Sequence, residues 1–494
     1  MTEYLSDPQG SLKTYFATVE DDCTVIYANF GGADPNVDQV EINVRPNCVK
    51  PVHVGINYIT LEGLEICCAA TQWNPPTGVQ SGMVDTYWSK GWIIQNCHLH
   101  DAKTSAISLG KEVSTGNCEC TRYRRKPGYQ YQMEAVFKAL KRGWSKELIG
   151  SHKVLHNVIH DCGENGVVGH LGCVFSEIAY NSIYNIAKKY EFFGHEIAGI
   201  KLHTAIDVRI HHNDIYNCAL GIWLDWEVQG TRVSSNVFAQ NTRDLMIEVT
   251  HGPCVVDNNI FASDYNFDNV AQGTALINNL FMGTTRRIDT RDRATPYHTP
   301  HSTDVAGVAV VVSGDDRVTN NIFVGAPMGP NGISVSGTAH YNGHGDSMEE
   351  YVAKAFAGTP EDHTVFNALK DPVFIKSNLY VNDAPHYDLE KDFTATADNP
   401  HFALERVNGQ PVLKCHLSTE MLKRCSIVKS WDLGAPRITE CPYEDFEGHE
   451  IVFNCDLNGT CATLDETQRL AGPLANLKVG DNAVALLAQV ARLA

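Results

Sequence analysis

The feature that most restricts how this chain can fold is a short phrase, aliphatic-x-x-Asn-x-(Ile or Phe), repeated through the middle of the sequence. It reads Val154-Leu-His-Asn157-Val-Ile159, Ile178-Ala-Tyr-Asn181-Ser-Ile183 and Ile210-His-His-Asn213-Asp-Ile215. It continues as Val233-Ser-Ser-Asn236-Val-Phe238, Val256-Asp-Asn-Asn259-Ile-Phe261, Leu276-Ile-Asn-Asn279-Leu-Phe281 and Val318-Thr-Asn-Asn321-Ile-Phe323. The asparagines recur at intervals of 20 to 32 residues, with one of 42. A period in this range marks stacked units that bury their apolar edges only against one another. Between the asparagines, short alternating runs such as Gly221-Ile-Trp-Leu-Asp-Trp226, bounded by Gly, Asn and Asp, carry strand periodicity. A leucine-rich repeat needs a helix-forming half and a helical repeat needs a 3.6-residue period; neither is present. The expected fold is therefore all-β, a right-handed parallel β-helix with loop insertions. Each asparagine is expected to take the left-handed turn between strands and to stack its amide into a ladder, while the following Ile or Phe fills the interior.

The phrase also sets the expected organisation. Residues 1–48 have strand-and-turn patterning without the phrase and read as a partial β-sandwich-like N-terminal region. Residues 49–440 read as the β-helix, with early coils at 52–66 and 91–100. Insertions are expected near 117–150, which is basic and helix-tolerant, near 284–304 and near 337–365. Residues 441–494 read as a C-terminal β segment that completes or caps the fold.

A fixed register predicts which side chains stack. Asp225 follows Asn213 by the same interval at which Glu248 follows Asn236. With Ile222 and Leu224 inside, Trp223, Asp225 and Glu227 point out, as do Lys201, His203 and Glu248. Neighbouring coils lie about 4.8 Å apart, near the roughly 5–5.5 Å between the carboxyl groups of a retaining glycosidase and short of an inverting one. Two like charges so close cannot both ionise freely, so one is expected to hold a proton as general acid. Asp225, flanked by Trp223 and Trp226, is read as nucleophile and Glu248 as acid/base. Glu196 is a rival for the acid role or a sugar ligand. His195, Lys201, His203, Trp223, Glu227 and His251 are read as substrate-binding candidates, although a solenoid carboxylate is ordinarily a solvated face and a histidine ordinarily a satisfied hydrogen-bonder.

Net charge of −19 disfavours nucleic acid and anionic membranes as partners; neutral sugars face no such barrier, and a homo-oligomer is left open. The opening residues show no signal-like apolar run, so the expected location is the cytoplasm. The 16 cysteines are scattered and read as buried free thiols. Cys97-His-Leu-His-Asp101 and Cys118-Glu-Cys120 lack a second pair at zinc-site spacing, so no metal is expected. No cofactor is expected either, and a structural calcium is left open.

Three segments resemble, in order and spacing, the β-xylosidases of glycoside hydrolase family 120: Gly194-His-Glu-Ile-Ala-Gly-Ile-Lys-Leu-His203, Trp223-Leu-Asp-Trp-Glu-Val-Gln-Gly-Thr-Arg232 and Ile247-Glu-Val-Thr-His-Gly-Pro253. The resemblance implies retaining, exo-acting release of xylose from the non-reducing end of β-1,4-xylo-oligosaccharides, with Asp225 as nucleophile, Glu248 as acid/base and Glu196 as its rival. It also implies a β-sandwich inserted near the N-terminal end of a right-handed β-helix. Against that pattern the chain opens inside the sandwich, so the first coils and part of the sandwich are expected to be absent. Two other readings compete: a pectin-type polysaccharide lyase or hydrolase on the same fold, and a carbohydrate-binding β-helix without catalysis. The pectin enzymes would need calcium-binding Asp clusters with a basic catalyst, or an Arg-x-Lys clamp for uronate, and a net charge of −19 argues against an anionic polymer.

Overall fold

The computed structural model describes residues 6–75, 77–192, 196–329, 332–355, 357, 370–463 and 465–493. The chain divides into two compact units, Met1–Val44 and Arg45–Ala494. In the first, Thr14–Glu20 and Cys23–Asn29 pair as an antiparallel hairpin closed by Asp21 and Asp22, both with left-handed backbone, as a two-residue hairpin turn demands.

In the second unit, among the described residues, three parallel sheets of eleven, eight and ten strands dominate. The chain visits them in fixed rotation. Lys153–Leu155 lies in the ten-stranded sheet, Val158–His160 in the eleven-stranded and Asn165–His170 in the eight-stranded. Glu177–Ala179, Ser182–Tyr184 and Ala198–His203 repeat the order, and Arg209–His211, Asp214–Tyr216 and Ile222–Asp225 repeat it again. Successive visits pair residue for residue, as in Ile159↔Ile183↔Ile215↔Phe238. A single apolar cluster draws Val154, Ile178 and Ile210 from one sheet, Ile159, Ile183 and Ile215 from the second, and Val167, Ile200 and Ile222 from the third. Phe238, Phe261, Phe281, Phe323 and Tyr380 stack within it at 4.9 to 5.4 Å between ring centroids.

The asparagine ladder forms, but with a different division of labour from the one expected. Left-handed backbone belongs to the residue before each asparagine, His156, Tyr180, His212, Ser235, Asn258, Asn278 and Asn320, with φ of 53 to 61°. The asparagine is thereby released to use its amide. Asn181 Oδ1, for example, accepts from the backbone N–H of Asn157 at 2.9 Å and from its Nδ2 at 3.0 Å, while Asn181 Nδ2 donates to the Val154 carbonyl at 2.9 Å. The same pattern runs on through Asn321 to Asn378, whose amide ends on Glu390 Oε1 at 2.8 Å. Asn378 escapes the sequence phrase because its following interior residue is Tyr380.

The insertions differ in kind. The segment 117–150 contributes the helices Glu119–Tyr123 and Gly128–Lys141. The segment 284–304 is not simply a loop: Thr284–Arg287 joins the eight-stranded sheet beside Tyr265–Val270, and Ala294–His298 forms a hairpin with Val305–Val310. Within 337–365, Ala339–Tyr341 is a 3₁₀ turn and Met348–Ala355 a helix; residues 358–365 lie outside the described residues. Antiparallel strands Ala403–Val407, Gln410–Leu417 and Gly480–Ala485 pack Leu413, Leu417 and Leu486 against Val237, Ile260 and Leu280 of the eleven-stranded sheet. Cys162, Cys173, Cys218 and Cys254 are buried thiols, but Cys455 and Cys461 form a disulfide, because an antiparallel bridge brings their Cα atoms to 3.8 Å. Among the described residues no helix is long and apolar enough to cross a membrane.

Candidate active site

Three strands of the eight-stranded sheet end level with one another: Ala198–His203, Ile222–Asp225 and Leu245–Glu248. Their register sets Lys201 beside Trp223 and Met246, and His203 beside Asp225 and Glu248. Ile200, Leu202, Ile222, Leu224 and Ile247 are wholly buried in the core, which turns the alternate residues to the other face. That face floors a cleft of about 960 Å³ whose lining includes Tyr129, Glu196, Trp223, Asp225, Trp226 and Glu248.

Asp225 closes its strand because Trp226 and Glu227 both take left-handed backbone. Lys201 Nζ, itself without solvent exposure, donates to Asp225 Oδ2 at 2.6 Å, and His203 Nδ1 lies 3.5 Å from the same oxygen. Among the described residues no hydrogen-bond donor reaches Asp225 Oδ1. The Lys201 ammonium also sits over the Trp223 ring, 3.6 Å from its centroid, a cation–π contact that favours keeping the charge in a buried place.

Glu248 accepts from Trp223 Nε1 at 3.1 Å through Oε2 and is held by the Arg293 guanidinium through Oε1. Burial pushes its pKa above the ordinary carboxylate value, and the neighbouring Asp225 adds to the push; Arg293 and Lys201 oppose it without reversing it. Glu196 goes the other way. Burial acts to raise its pKa, but His203, Lys201 and Gln80 together hold it well below the ordinary value. His203 Nε2 lies 2.9 Å and Gln80 Nε2 2.6 Å from Glu196 Oε2, and Lys201 Nζ lies 3.4 Å from Oε1. Gln132, on the helix Gly128–Lys141, donates from Nε2 to His203 Nδ1 at 2.6 Å, which leaves the Nε2 proton of His203 for Glu196. Donor atoms of Glu196, His203 and Asp225 converge within 4.8 Å, but the Lys201 ammonium between the two carboxylates already supplies the positive charge a metal would bring.

Of the residues read from sequence, Asp225, Glu248, Glu196 and Trp223 meet at the cleft, and Lys201 and His203 lie beneath it, touching carboxylates. Glu227 does not join them. The left-handed backbone at Trp226 and Glu227 breaks the alternation, and the Glu227 carboxylate is buried 3.4 Å from His298 Nε2. His251 is elsewhere too: its Nε2 donates to the Ala309 carbonyl at 3.1 Å, its ring meets Tyr297 edge-on, and burial lowers its pKa to about 4. His195 lies outside the described residues. Gln80, Tyr129, Gln132 and Arg293 were missed, since all come from segments without the repeat. Tyr129 stacks on Trp226 with centroids 6.1 Å apart. Arg243 and Arg286 meet on Asp268 farther along the cleft.

Carboxylates on neighbouring strands, one pushed toward holding a proton, beside an aromatic wall in a sugar-sized cleft, are the equipment of a glycoside hydrolase. Residues 1–42 match the family model described as the glycoside hydrolase 120 insertion domain. The solved structure titled "The complex structure of XylC with xylose" is 49% identical to this chain and superposes with a TM-score of 0.91, covering 95% of this chain and 73% of that one. A PL6 family alginate lyase, AlyGC, is 11% identical with a TM-score of 0.27, over 74% of this chain and 52% of its own, a likeness that carries no weight. No curated protein matches. The chain belongs to glycoside hydrolase family 120, the β-xylosidase family that its three segments resemble.

Proposed function

We propose that this β-xylosidase acts with retention and from the chain end, releasing xylose from the non-reducing end of β-1,4-xylo-oligosaccharides. The three sheets wrap their shared core as a right-handed parallel β-helix, and the outward side of one wall does the chemistry. Glu248 protonates the glycosidic oxygen as the Asp225 carboxylate attacks the anomeric carbon; water, deprotonated by Glu248, then cleaves the xylosyl–Asp225 ester. Lys201 orients the Asp225 carboxylate through Oδ2. Glu196 stays a carboxylate, suited to accept a hydrogen bond from a sugar hydroxyl.

The observation that carries this reading is the opposite electrostatic fate of the two glutamates: Glu248, the strand neighbour of Asp225, is pushed toward the protonated form, and Glu196 is held ionised. The xylose complex of the similar structure supports the choice of sugar. Asp225→Ala should abolish turnover of a chromogenic β-xyloside while the variant still unfolds in one cooperative urea transition, and proton NMR of the parent reaction should show β-xylose first. Activity of the variant within tenfold of the parent, or α-xylose as first product, refutes the proposal.

A further inference from the structure

Apart from the cleft, the outer face of the eleven-stranded sheet carries a group of imidazoles that the reaction leaves unused. His98 and His100 alternate with the wholly buried Leu99 on the strand His98–His100, so both point away from the core. Register sets Glu65 beside His98 and His160 beside His100.

Hydrogen bonds select the tautomers. His100 Nδ1 lies 2.9 Å from Asp101 Oδ2 and its Nε2 3.2 Å from Glu65 Oε1, so a proton on Nδ1 leaves Nε2 for either a second proton or a metal ion. His160 Nδ1 lies 2.5 Å from Asp161 Oδ2, which makes His160 Nε2 an acceptor for the Nε2 proton of His98 at 2.7 Å. His98 is then left with a bare Nδ1. His100 Nε2 and His98 Nδ1 face one carboxylate oxygen, Glu65 Oε1, from 3.2 Å and 3.9 Å. Either a proton on His100 or a metal ion among these atoms relieves the repulsion between their lone pairs.

We infer that Glu65, His98 and His100 form a three-ligand site for a first-row divalent transition ion such as Zn²⁺. Ligands about 2.0–2.1 Å from a tetrahedral zinc lie roughly 3.3 Å from one another. The donor atoms of the three residues fall within 4.8 Å of each other, and the Glu65 side chain, 69% exposed, is free to close the remainder. Two imidazoles and one carboxylate suit zinc, cobalt or nickel rather than magnesium or calcium, which take oxygen. Asp101 and His160 supply the outer hydrogen bonds that orient ligating histidines, and one tetrahedral position stays open to water. Linear spacing hides the site because its carboxylate comes from a strand 35 residues before His100, while Cys97, in the same motif, is buried and turned toward the Leu61 and Gln95 carbonyls.

The test is calorimetric titration of the whole chain with Zn²⁺ at pH 7.5, paired with Co²⁺ absorption spectroscopy. One equivalent should bind, with visible Co²⁺ bands of a four-coordinate nitrogen–oxygen site. His98→Gln and His100→Gln should each weaken binding at least tenfold, and His160→Leu, which removes an orienting partner but no ligand, about 10- to 100-fold. Binding that is absent, or unchanged in the His98→Gln/His100→Gln double variant, overturns the inference and leaves a proton on His100 as the cluster's only occupant. Xyloside turnover inhibited by Zn²⁺ equally in parent and double variant, with no loss of affinity between them, places the ion in the cleft and overturns it as well.

Discussion

Replacing Arg293 by methionine should carry the alkaline limb of the kcat/KM profile upward by roughly one pH unit. The guanidinium holds Glu248 Oε1 and opposes the upward push that burial and Asp225 exert on that carboxyl. Unit charges about 4 Å apart at an effective dielectric near 20 interact by roughly 4 kcal/mol. Because 35% of the Arg293 side chain is exposed, solvent screening cuts this to about 1–2 kcal/mol, and about 1.4 kcal/mol corresponds to one pH unit. The sign follows from the role. A general acid must carry its proton, so the rate falls as pH rises through its pKa, and raising that pKa extends activity to higher pH. Methionine keeps the apolar stem while removing the charge. The assay is kcat/KM on a chromogenic β-xyloside between about pH 4 and pH 9 for both proteins, at low and high salt. An alkaline limb that stays in place or moves to lower pH refutes either the contact in solution or the assignment of Glu248 as the acid.

Glu248→Gln should lose about 10²- to 10⁴-fold on a poor leaving group and recover on an activated aryl xyloside, whereas Glu196→Gln should lose activity on both; kcat/KM across a leaving-group series reads the difference. Asn236→Ala removes an acceptor used by the backbone N–H and Nδ2 of Asn213, and a donor to Ile210 and Asn259, so buried polar groups are stranded. Unfolding in urea should show a loss of about 3–6 kcal/mol. Lys201→Met leaves the Asp225 and Glu196 carboxylates buried without their shared ammonium; a cost of about 3–5 kcal/mol at neutral pH is expected. The pH dependence should weaken, because His203 and Gln80 still hold Glu196 while Lys201 no longer does. In the parent, Glu196 is depressed below its ordinary 4.5, so its contribution is complete above that value and lost as pH falls through the folded-state pKa; in the variant, thermal melts should show a smaller gain in stability as pH rises.

The parallel sheets were legible because each layer repeats one bargain between residue type and place. An asparagine donates and accepts along the stack, and the next residue but one faces inward, so the pattern survives even where the spacing stretches from 23 to 42 residues. What misled was the assignment of the left-handed turn to asparagine itself. Its predecessor is as varied as His156, Tyr180 and Ser235, so no residue type betrays the turn. Alternation failed for the same reason at Glu227: two left-handed residues end the strand at Asp225, and a pattern of outward-facing residues cannot be continued past them.

Within the cleft the legible and illegible parts have different physical origins. Which carboxyls meet is decided by strand register, a periodic property, and so Asp225 and Glu248 could be paired from counting alone. Which of the carboxyls keeps its proton depends on burial and on Asp225, Lys201 and His203 of the wall, and is adjusted by aperiodic neighbours. Gln80 lies 116 residues before Glu196 in the chain, Gln132 lies 71 residues before His203, and Arg293 lies 45 residues after Glu248. None of these intervals is set by the repeat. The wall therefore determines the spacing of the reacting groups and the direction of their charge, while the insertions adjust its size. In a family built on this wall, changes of pH dependence should arise in segments such as 117–150 and 284–304, with the strand ends at Asp225 and Glu248 left untouched.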